Sequence, residues 1–292
     1  MHGLGNDFVV VDDLGAEFDI DPDAVAWICD RHFGVGADGL ILVRPASVPG
    51  ADYFMLYYNA DGTTAEMCGN GVRCFAKYLV DEGYLPPEVS AVTVQTLGGL
   101  RHIDFERDAD GLMSSATVDM GEPALAPSLV PTTLPGDPAV SRAPLSTDAG
   151  DVAVTCVSMG NPHAVVWVDD PDTAPVESLG PAIETHAAFP NRTNVEFARV
   201  DGDRITLRVW ERGVGETLAC GTGACATVVA AVLDGLLSGR TATVELPGGE
   251  LRVSWDDDGH VRMTGPAEEV FYGVIDMPAD EDAEADGDAP RD

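Results

Sequence analysis

Cys68-Gly69-Asn70-Gly71-Val72-Arg73-Cys74-Phe75-Ala76-Lys77-Tyr78-Leu79 and Cys220-Gly221-Thr222-Gly223-Ala224-Cys225-Ala226-Thr227-Val228-Val229 are two versions of one element. Each opens on a cysteine, passes through Gly-x-Gly and runs into apolar residues. In the first these fall at helical spacing, Val72, Phe75, Ala76 and Leu79; in the second they lie nearly all round. The pattern predicts a helix over 71–82 in one half and a mostly buried helix over 223–237 in the other.

The surroundings repeat as well. Gly5-Asn6 followed by Val9-Val10 returns as Gly160-Asn161 followed by Val165-Val166, and the asparagines are 155 residues apart. Gly39 before Leu40-Ile41-Leu42-Val43-Arg44 matches Asn194 before Val195-Glu196-Phe197-Ala198-Arg199 at the same offset. The run from Tyr53 into Asn59 matches the run from Ile205 into Glu211, each followed by its cysteine, at an offset of 152. Thr93-Val94 with Gly98-Gly99 returns as Thr243-Val244 with Gly248-Gly249, at 150. Matches in one order with so little drift indicate a duplicated unit.

Residues 1–121 form one unit and 151–265 the other. Short runs rich in Val, Leu, Phe and Tyr, bounded by Gly, Asp and Pro, read as strands. The expected fold is therefore α+β: two pseudo-symmetric β-rich domains, each a curved sheet wrapped around a central helix, with the active site in the cleft between them. Residues 122–150 hold six prolines and read as a linker or an irregular lead-in to the second domain. Val270–Ile275, within 266–277, is expected to add one more strand, a candidate addition to the first domain. The acidic stretch 278–292 lacks aromatics and reads as disordered.

An apolar content of 45% in 292 residues is ample for a packed core. The net charge of −34 is not explained by the tail, which carries only seven acids and one arginine, so the body itself is acidic. Lys77 is the only lysine among 16 basic residues. Such a surface suits concentrated salt, where screening suppresses carboxylate self-repulsion, and points to a halophile's cytoplasm. A merely acidic protein is the alternative, and unfolding in low salt separates the two.

No basic stripe is present to neutralise phosphates, so nucleic acid is not an expected partner. The longest apolar run, Ala224–Leu233, is too short for a bilayer and the opening MHGLGNDF has no basic-then-apolar signal. A cytoplasmic protein without a membrane partner is expected. Six cysteines in this length are no disulfide framework, and the gaps Cys68 to Cys74 and Cys220 to Cys225 are not structural-zinc spacing. Thiols are expected, with no bound metal.

A cysteine just ahead of a helix has two chemical consequences. The unsatisfied first-turn amides favour negative charge and lower a thiol pKa. The glycines let a carboxylate approach those same amides. If the units pack about a pseudo-twofold axis, Cys68 and Cys220 stand on opposite faces of one α-carbon. One as thiolate removes a proton and the other as thiol returns one.

A single such cysteine is more often a small buried residue, but two at equivalent repeat positions reverse that reading. A disulfide between them would consume both thiols. Cys29, Cys74, Cys156 and Cys225 lack such a setting and read as core residues.

Asn6, Asn59, Asn161, His163, Asn194, Glu211 and Arg212 gather at matching strand ends. Singly, such asparagines are turn residues; together, with an acid and an arginine, they suit a zwitterion. Arg212 is placed to clamp a distal carboxylate, and Glu211 and the asparagine carbonyls to meet ammonium groups. His163 is a candidate for tuning Cys68, with a structural histidine as the alternative.

The segments NADGTTAEMCGNGVRC, MGNPH, FPNRTN and ERGVGETLACGTGACA together resemble the diaminopimelate epimerase family, from GLGNDF to GPAEEVFYG. The resemblance implies interconversion of LL- and meso-2,6-diaminoheptanedioate, a step toward lysine, with neither pyridoxal phosphate nor metal. On that resemblance Cys68 and Cys220 match the catalytic pair, and Gly69-Asn70 with Gly221-Thr222 the α-carboxylate cradle. Asn6, Asn59, Asn161, Asn194, Glu211 and Arg212 match substrate contacts, and His163 and Glu211 flank the reacting centre. The partner implied is the small-molecule substrate, with a homodimer as the candidate assembly.

Two departures stand out. Some members carry glutamine where this chain has Gly39. Members also usually begin with a short strand ahead of the segment in which Met1 lies, so either the start was assigned late or that strand is missing.

Proline racemase-like enzymes share the dicysteine logic, but place histidine at Asn70 and a D-R-S-P-type run at Glu211-Arg212-Gly213. A pyridoxal-phosphate racemase would need Lys77 as its Schiff base. A non-catalytic amino-acid-binding module would use the same asparagines and Arg212, without needing the paired cysteines.

Overall fold

The computed structural model describes residues 1–277. The first unit runs β1 (His2–Gly3), β2 (Asn6–Asp12), α1 (Pro22–Cys29), β3 (Gly39–Pro45), β4 (Tyr53–Asn59), α2 (Gly69–Asp81), β5 (Ala91–Thr96), β6 (Gly99–Arg107) and β7 (Met113–Asp119). The second opens with β8 (Ala143–Thr147), β9 (Gly150–Ser158), β10 (Pro162–Trp167), α3 (Val176–Glu184), β11 (Asn194–Asp201) and β12 (Arg204–Glu211). It closes with β13 (Gly215–Thr217), α4 (Gly221–Leu233), β14 (Thr241–Leu246), β15 (Gly249–Trp255) and β16 (Val261–Gly265).

The strands follow one hydrogen-bonded path, β1-β2-β3-β4-β5-β6-β7-β16-β15-β14-β12-β11-β10-β9-β8, with β13 beside β12. Read from either end, the order is nearly the same, as a duplicated unit requires. The registers repeat too: Phe8 faces Gly39 in the parallel β2–β3 pair, and His163 faces Asn194 in the parallel β10–β11 pair. The expected α+β architecture holds. At the seam between units β7 and β16 are antiparallel, and the Thr117 and Thr264 hydroxyls meet across them at 2.7 Å.

Cys68 and Cys220 occupy the N-cap positions of α2 and α4, both in extended backbone. Each helix therefore begins two residues earlier than its apolar periodicity indicates, because Gly-x-Gly carries no periodic signal. Both end on a glycine in the left-handed region, Gly83 (φ 76°) and Gly235 (φ 68°). The amides of Tyr84 and Leu236 reach back to the Leu79 and Ala231 carbonyls, the Schellman closure that only a residue free of a Cβ adopts cheaply. That closure stops α4 at Leu233 rather than 237. The small side chains of α4, Ala224, Ala226, Ala230 and Ala231 among them, let the sheet enclose it on all sides.

Two outer helices were not expected. Asp21 accepts the Ala24 amide at 2.7 Å, and Pro22 presets the first turn of α1, which buries Val25 and Ile28 against Leu40, Leu42 and Leu56. In the second unit α3 buries Val176, Leu179 and Ile183 against Val166, Val195 and Phe197. Each sheet is thus covered on both faces, which is why Leu40-Ile41-Leu42-Val43 is apolar without alternation.

Residues 122–150 are not a free linker. Val130, Val140, Ala143 and Leu145 are buried in the core of the second unit, and 143–147 is the edge strand β8. The strand expected at Val270–Ile275 does not form. Glu268 makes a single antiparallel bridge with His2, and beyond it no described strand lies alongside; Tyr272 and Val274 are 92% and 95% exposed. An apolar run needs a pairing neighbour to become a strand. The stretch expected to be disordered, 278–292, lies outside the described residues.

Candidate active site

The starts of α2 and α4 touch. A Cβ on Gly69 would lie 3.9 Å from Gly221 Cα, and one on Gly221 would lie 3.7 Å from Asn70 Oδ1. Side chains at either position would press on Met263, which lies 3.1 Å from each site of a Cβ. The first-turn amides of both helices, which have no partner within the helix, are brought to one place with a thiol on each side. All six cysteines are free thiols.

Cys68 Sγ lies 3.5 Å from the Gly71 amide and 3.7 Å from Asn6 Oδ1. Asn70 Nδ2 donates to that same Asn6 oxygen at 3.1 Å, and Asn6 Nδ2 is held by Asp38 at 2.7 Å. Arg31 in turn binds Asp7 and Asp38, locking the loop beneath Asn6. At the start of α4, Cys220 Sγ is 3.5 Å from Thr222 Oγ1, which accepts from Asn161 Nδ2 at 3.2 Å. Asn161 Oδ1 meets His163 Nε2 at 3.0 Å, and His163 Nδ1 meets Glu196 Oε1 at 2.6 Å. This path leads from His163 to Cys220, whereas the sequence had suggested Cys68.

Burial pushes the Cys68 thiol up to about 11, with Glu211 adding to it and the Gly71 and Asn70 amides and Arg73 opposing. Burial, Glu211 and Glu196 carry Cys220 well above its ordinary value, against the Thr222 hydroxyl and Gly223 amide. The lowering expected from the helix starts is present but outweighed by desolvation. Glu211 raises both thiols through its charge. It is held by the Thr217 hydroxyl at 2.6 Å.

Asn194 and Asn59 are already engaged. Asn194 Nδ2 donates to the Pro162 carbonyl at 2.8 Å and its Oδ1 accepts the Arg212 amide at 2.9 Å, while Asn59 bonds Thr63 at 3.0 Å. The Arg212 guanidinium donates to the Asn191 carbonyl at 3.0 Å. Gly39 faces Asn59 across β3–β4, and a Cβ there would fall 2.5 Å from the Tyr58 carbonyl and 2.6 Å from the Tyr57 ring. The glutamine of other members has no room in this backbone.

Sequence reasoning missed Arg73, Glu184 and Glu196. Glu184 ends α3 and accepts the Gly213 amide at 2.9 Å and Trp210 Nε1 at 2.8 Å, holding the loop that carries Arg212. Glu196 is wholly buried, and desolvation pushes its carboxyl up against the pull of His163. Arg73 and Glu196 sit where the repeat has an uncharged partner, Cys225 and Ile41, which is the signal that exposes them. Lys77 is paired with Asp81 at 2.7 Å and bonded to the Met113 carbonyl at 2.9 Å, so its amine is committed to the first unit's core edge. Among the described residues no helix is long and apolar enough to cross a membrane, and no three His, Cys, Asp or Glu side chains are grouped to hold a metal.

The two-unit fold is shared with solved structures of other enzymes. A hydroxyproline epimerase from Agrobacterium vitis superposes with a TM-score of 0.65 at 19% identity, over 91% of this chain and 86% of that chain. The model of the family described as diaminopimelate epimerase matches residues 1–126 and 155–270. The chain is 50% identical to the diaminopimelate epimerase of Desulfitobacterium hafniense, over 94% of this chain and 96% of that one. It is 51% identical to that of a Synechocystis species, over 94% and 97%. It belongs to the diaminopimelate epimerase family and is an isomerase.

Proposed function

We propose that this enzyme interconverts LL- and meso-2,6-diaminoheptanedioate in lysine biosynthesis, moving one α-proton between the thiols of Cys68 and Cys220. The observation that carries the reading is the contact of the two thiol-bearing helix starts at Gly69 and Gly221. The substrate α-carboxylate lies on the first-turn amides of Gly69-Asn70 and Gly221-Thr222, where helix ends favour an anion. One sulfur, as thiolate, takes the α-proton while the other, as thiol, gives a proton to the opposite face. A raised thiol pKa serves this chemistry, because the thiolate is then a stronger base toward a weakly acidic C–H. The carbanion-like charge is met by amides already in place.

Glu211 faces the substrate ammonium, with Asn6 and Asn161 beside the two sulfurs. Arg212 clamps the distal carboxylate bidentately. Asn59 supplies a further polar contact, and Asn194 acts by placing Arg212. The reading calls on neither metal nor cofactor. It places the enzyme in the cytoplasm of a salt-adapted organism, as a homodimer without nucleic-acid partners.

Incubation with LL-diaminopimelate and with L-proline, in reductant and without pyridoxal phosphate, tests the assignment. Inversion of the first alone is expected; inversion of proline alone would move the chain to the proline-type activity of its fold relatives.

A further inference from the structure

The repeat that makes the two thiols equivalent in geometry leaves them unequal in charge. At the offset of 152 that relates Cys68 to Cys220, Arg73 corresponds to Cys225. At the offset of 155 that relates β3 to β11, Ile41 corresponds to Glu196. The equivalence holds in space: a Cβ on Gly71 would meet Ile41 at 3.2 Å, and one on Gly223 would meet Glu196 Oε1 at 2.9 Å.

Arg73 is wholly buried. Its Nε donates to the Pro266 carbonyl at 3.0 Å, Nη1 to the Gly69 carbonyl at 3.1 Å and Nη2 to Asn70 Oδ1 at 2.9 Å. Nη1 also approaches Met263 Sδ at 3.9 Å. None of these partners is a carboxylate, although buried charges are ordinarily paired. The second unit has no cation in the corresponding place; beneath Cys220 lies Glu196, matched to His163.

We propose that Arg73 is a positioning residue that makes Cys68 the first of the two thiols to ionise, leaving Cys220 as the proton donor of the resting enzyme. The proposal rests on the two-thiol reading above. The guanidinium acts through the Gly69 carbonyl and the Asn70 side chain, which fix the first turn under the sulfur, and through a positive charge that lacks a counter-ion until a thiolate or substrate carboxylate arrives.

The groups facing each sulfur make the same distinction. Cys68 is faced by Arg73 and Cys74 from α2, by Tyr57 from β4 and by Glu211 from β12. Cys220 is faced by Glu211 and by Glu196, whose carboxylate is itself engaged by His163 from β10, and no arginine stands where Arg73 stands beneath Cys68. Ionisation releases the Cys68 proton to solvent. Cys68 then takes the α-proton as Cys220 gives up its own, and the reverse turnover exchanges the roles.

The test is alkylation of the full-length reduced enzyme with iodoacetamide across a pH series, with each thiol followed by mass spectrometry. The pH midpoint reads ionisation independently of accessibility. In the wild type the midpoint of Cys68 is expected below that of Cys220. Arg73→Gln keeps hydrogen-bonding capacity without charge, and is expected to raise the Cys68 midpoint by about one unit, about tenfold less alkylation at a fixed pH below it. Arg73→Lys keeps the charge and is expected to leave the midpoint in place.

A Cys220 that ionises first in the wild type, or Gln and Lys variants that shift alike, would overturn the proposal. The wild-type order decides even if the Gln variant fails to fold. Solvent-deuterium exchange run in parallel separates the two levels: no exchange by folded wild type sinks the two-thiol reading, whereas exchange with the reverse order sinks only the role of Arg73.

Discussion

Asn194 Oδ1 accepts the backbone amide of Arg212 at 2.9 Å, and the same side chain holds the Pro162 carbonyl through its Nδ2. One buried amide therefore joins three sequence motifs, MGNPH, FPNRTN and ERG, and sets where Arg212 leaves the sheet. Asn194→Ala strips partners from a buried carbonyl and a backbone amide. If Arg212 clamps the distal carboxylate, as proposed above, the loss is expected in binding. KM for diaminopimelate should rise about tenfold with kcat held within about threefold. Steady-state kinetics checks this, and a lower kcat at unchanged KM would place Asn194 at the reacting carbon instead.

Gly39 is confined by main chain rather than by a flexible neighbour, since the Tyr58 carbonyl stands 2.5 Å from the site of a Cβ. Gly39→Ala is expected to destabilise the fold by about 1–3 kcal/mol, read as a lower midpoint in urea unfolding. An unchanged midpoint would mean that β3 and β4 can separate without cost.

Much of this site was legible in the sequence because duplication prints each feature twice. Cys68 and Cys220, the strand-end asparagines and both central helices follow from offsets of 150 to 155 residues. What the repeat does not duplicate was not legible. Arg73 against Cys225 and Glu196 against Ile41 show only when the halves are aligned position by position for differences. The outer helices α1 and α3 are too short for periodicity to declare them; α1 is started by the Asp21-Pro22 cap and α3 by its fit against Trp210, where Gly180 has no space for a side chain. The thiol pKa values went the other way from expectation because a sequence shows a helix start but not how completely it is buried. At Val270–Ile275 a strand-like pattern met no partner strand.

The seam between units carries a titratable pair. His260 Nδ1 meets both Asp119 oxygens at 2.9 Å, and that hydrogen bond and charge raise the His260 pKa above its ordinary 6.5. A group whose folded pKa is raised contributes its stability in full below the unfolded value and loses it as pH climbs through the folded value. The stability difference between wild type and Asp119→Asn is therefore expected to be largest between the carboxylate and imidazole ranges, to shrink as pH climbs through the raised His260 value, and to be lost in acid as Asp119, held below its ordinary value, takes up a proton. NMR titration of His260 should show its midpoint falling toward the ordinary value in Asp119→Asn; an unmoved midpoint would remove the pair from the seam's energetics.

Fifty acidic side chains against sixteen basic ones load the folded chain with self-repulsion. Raising KCl from about 0.1 M to about 1 M shortens the screening length from about 10 Å to about 3 Å. The unfolding temperature is expected to climb across that range, followed by circular dichroism. A flat response would show an acidic protein without adaptation to salt.

The two-thiol proton transfer is tested most directly by solvent-deuterium incorporation at the α-carbon of LL-diaminopimelate, in high salt and reductant without pyridoxal phosphate, for wild type, Cys68→Ala and Cys220→Ala. Wild type should incorporate deuterium with inversion, and each variant should lose inversion by at least about a hundredfold while remaining folded. Inversion at the wild-type rate in either variant, or no exchange by folded and reduced wild type, would contradict it.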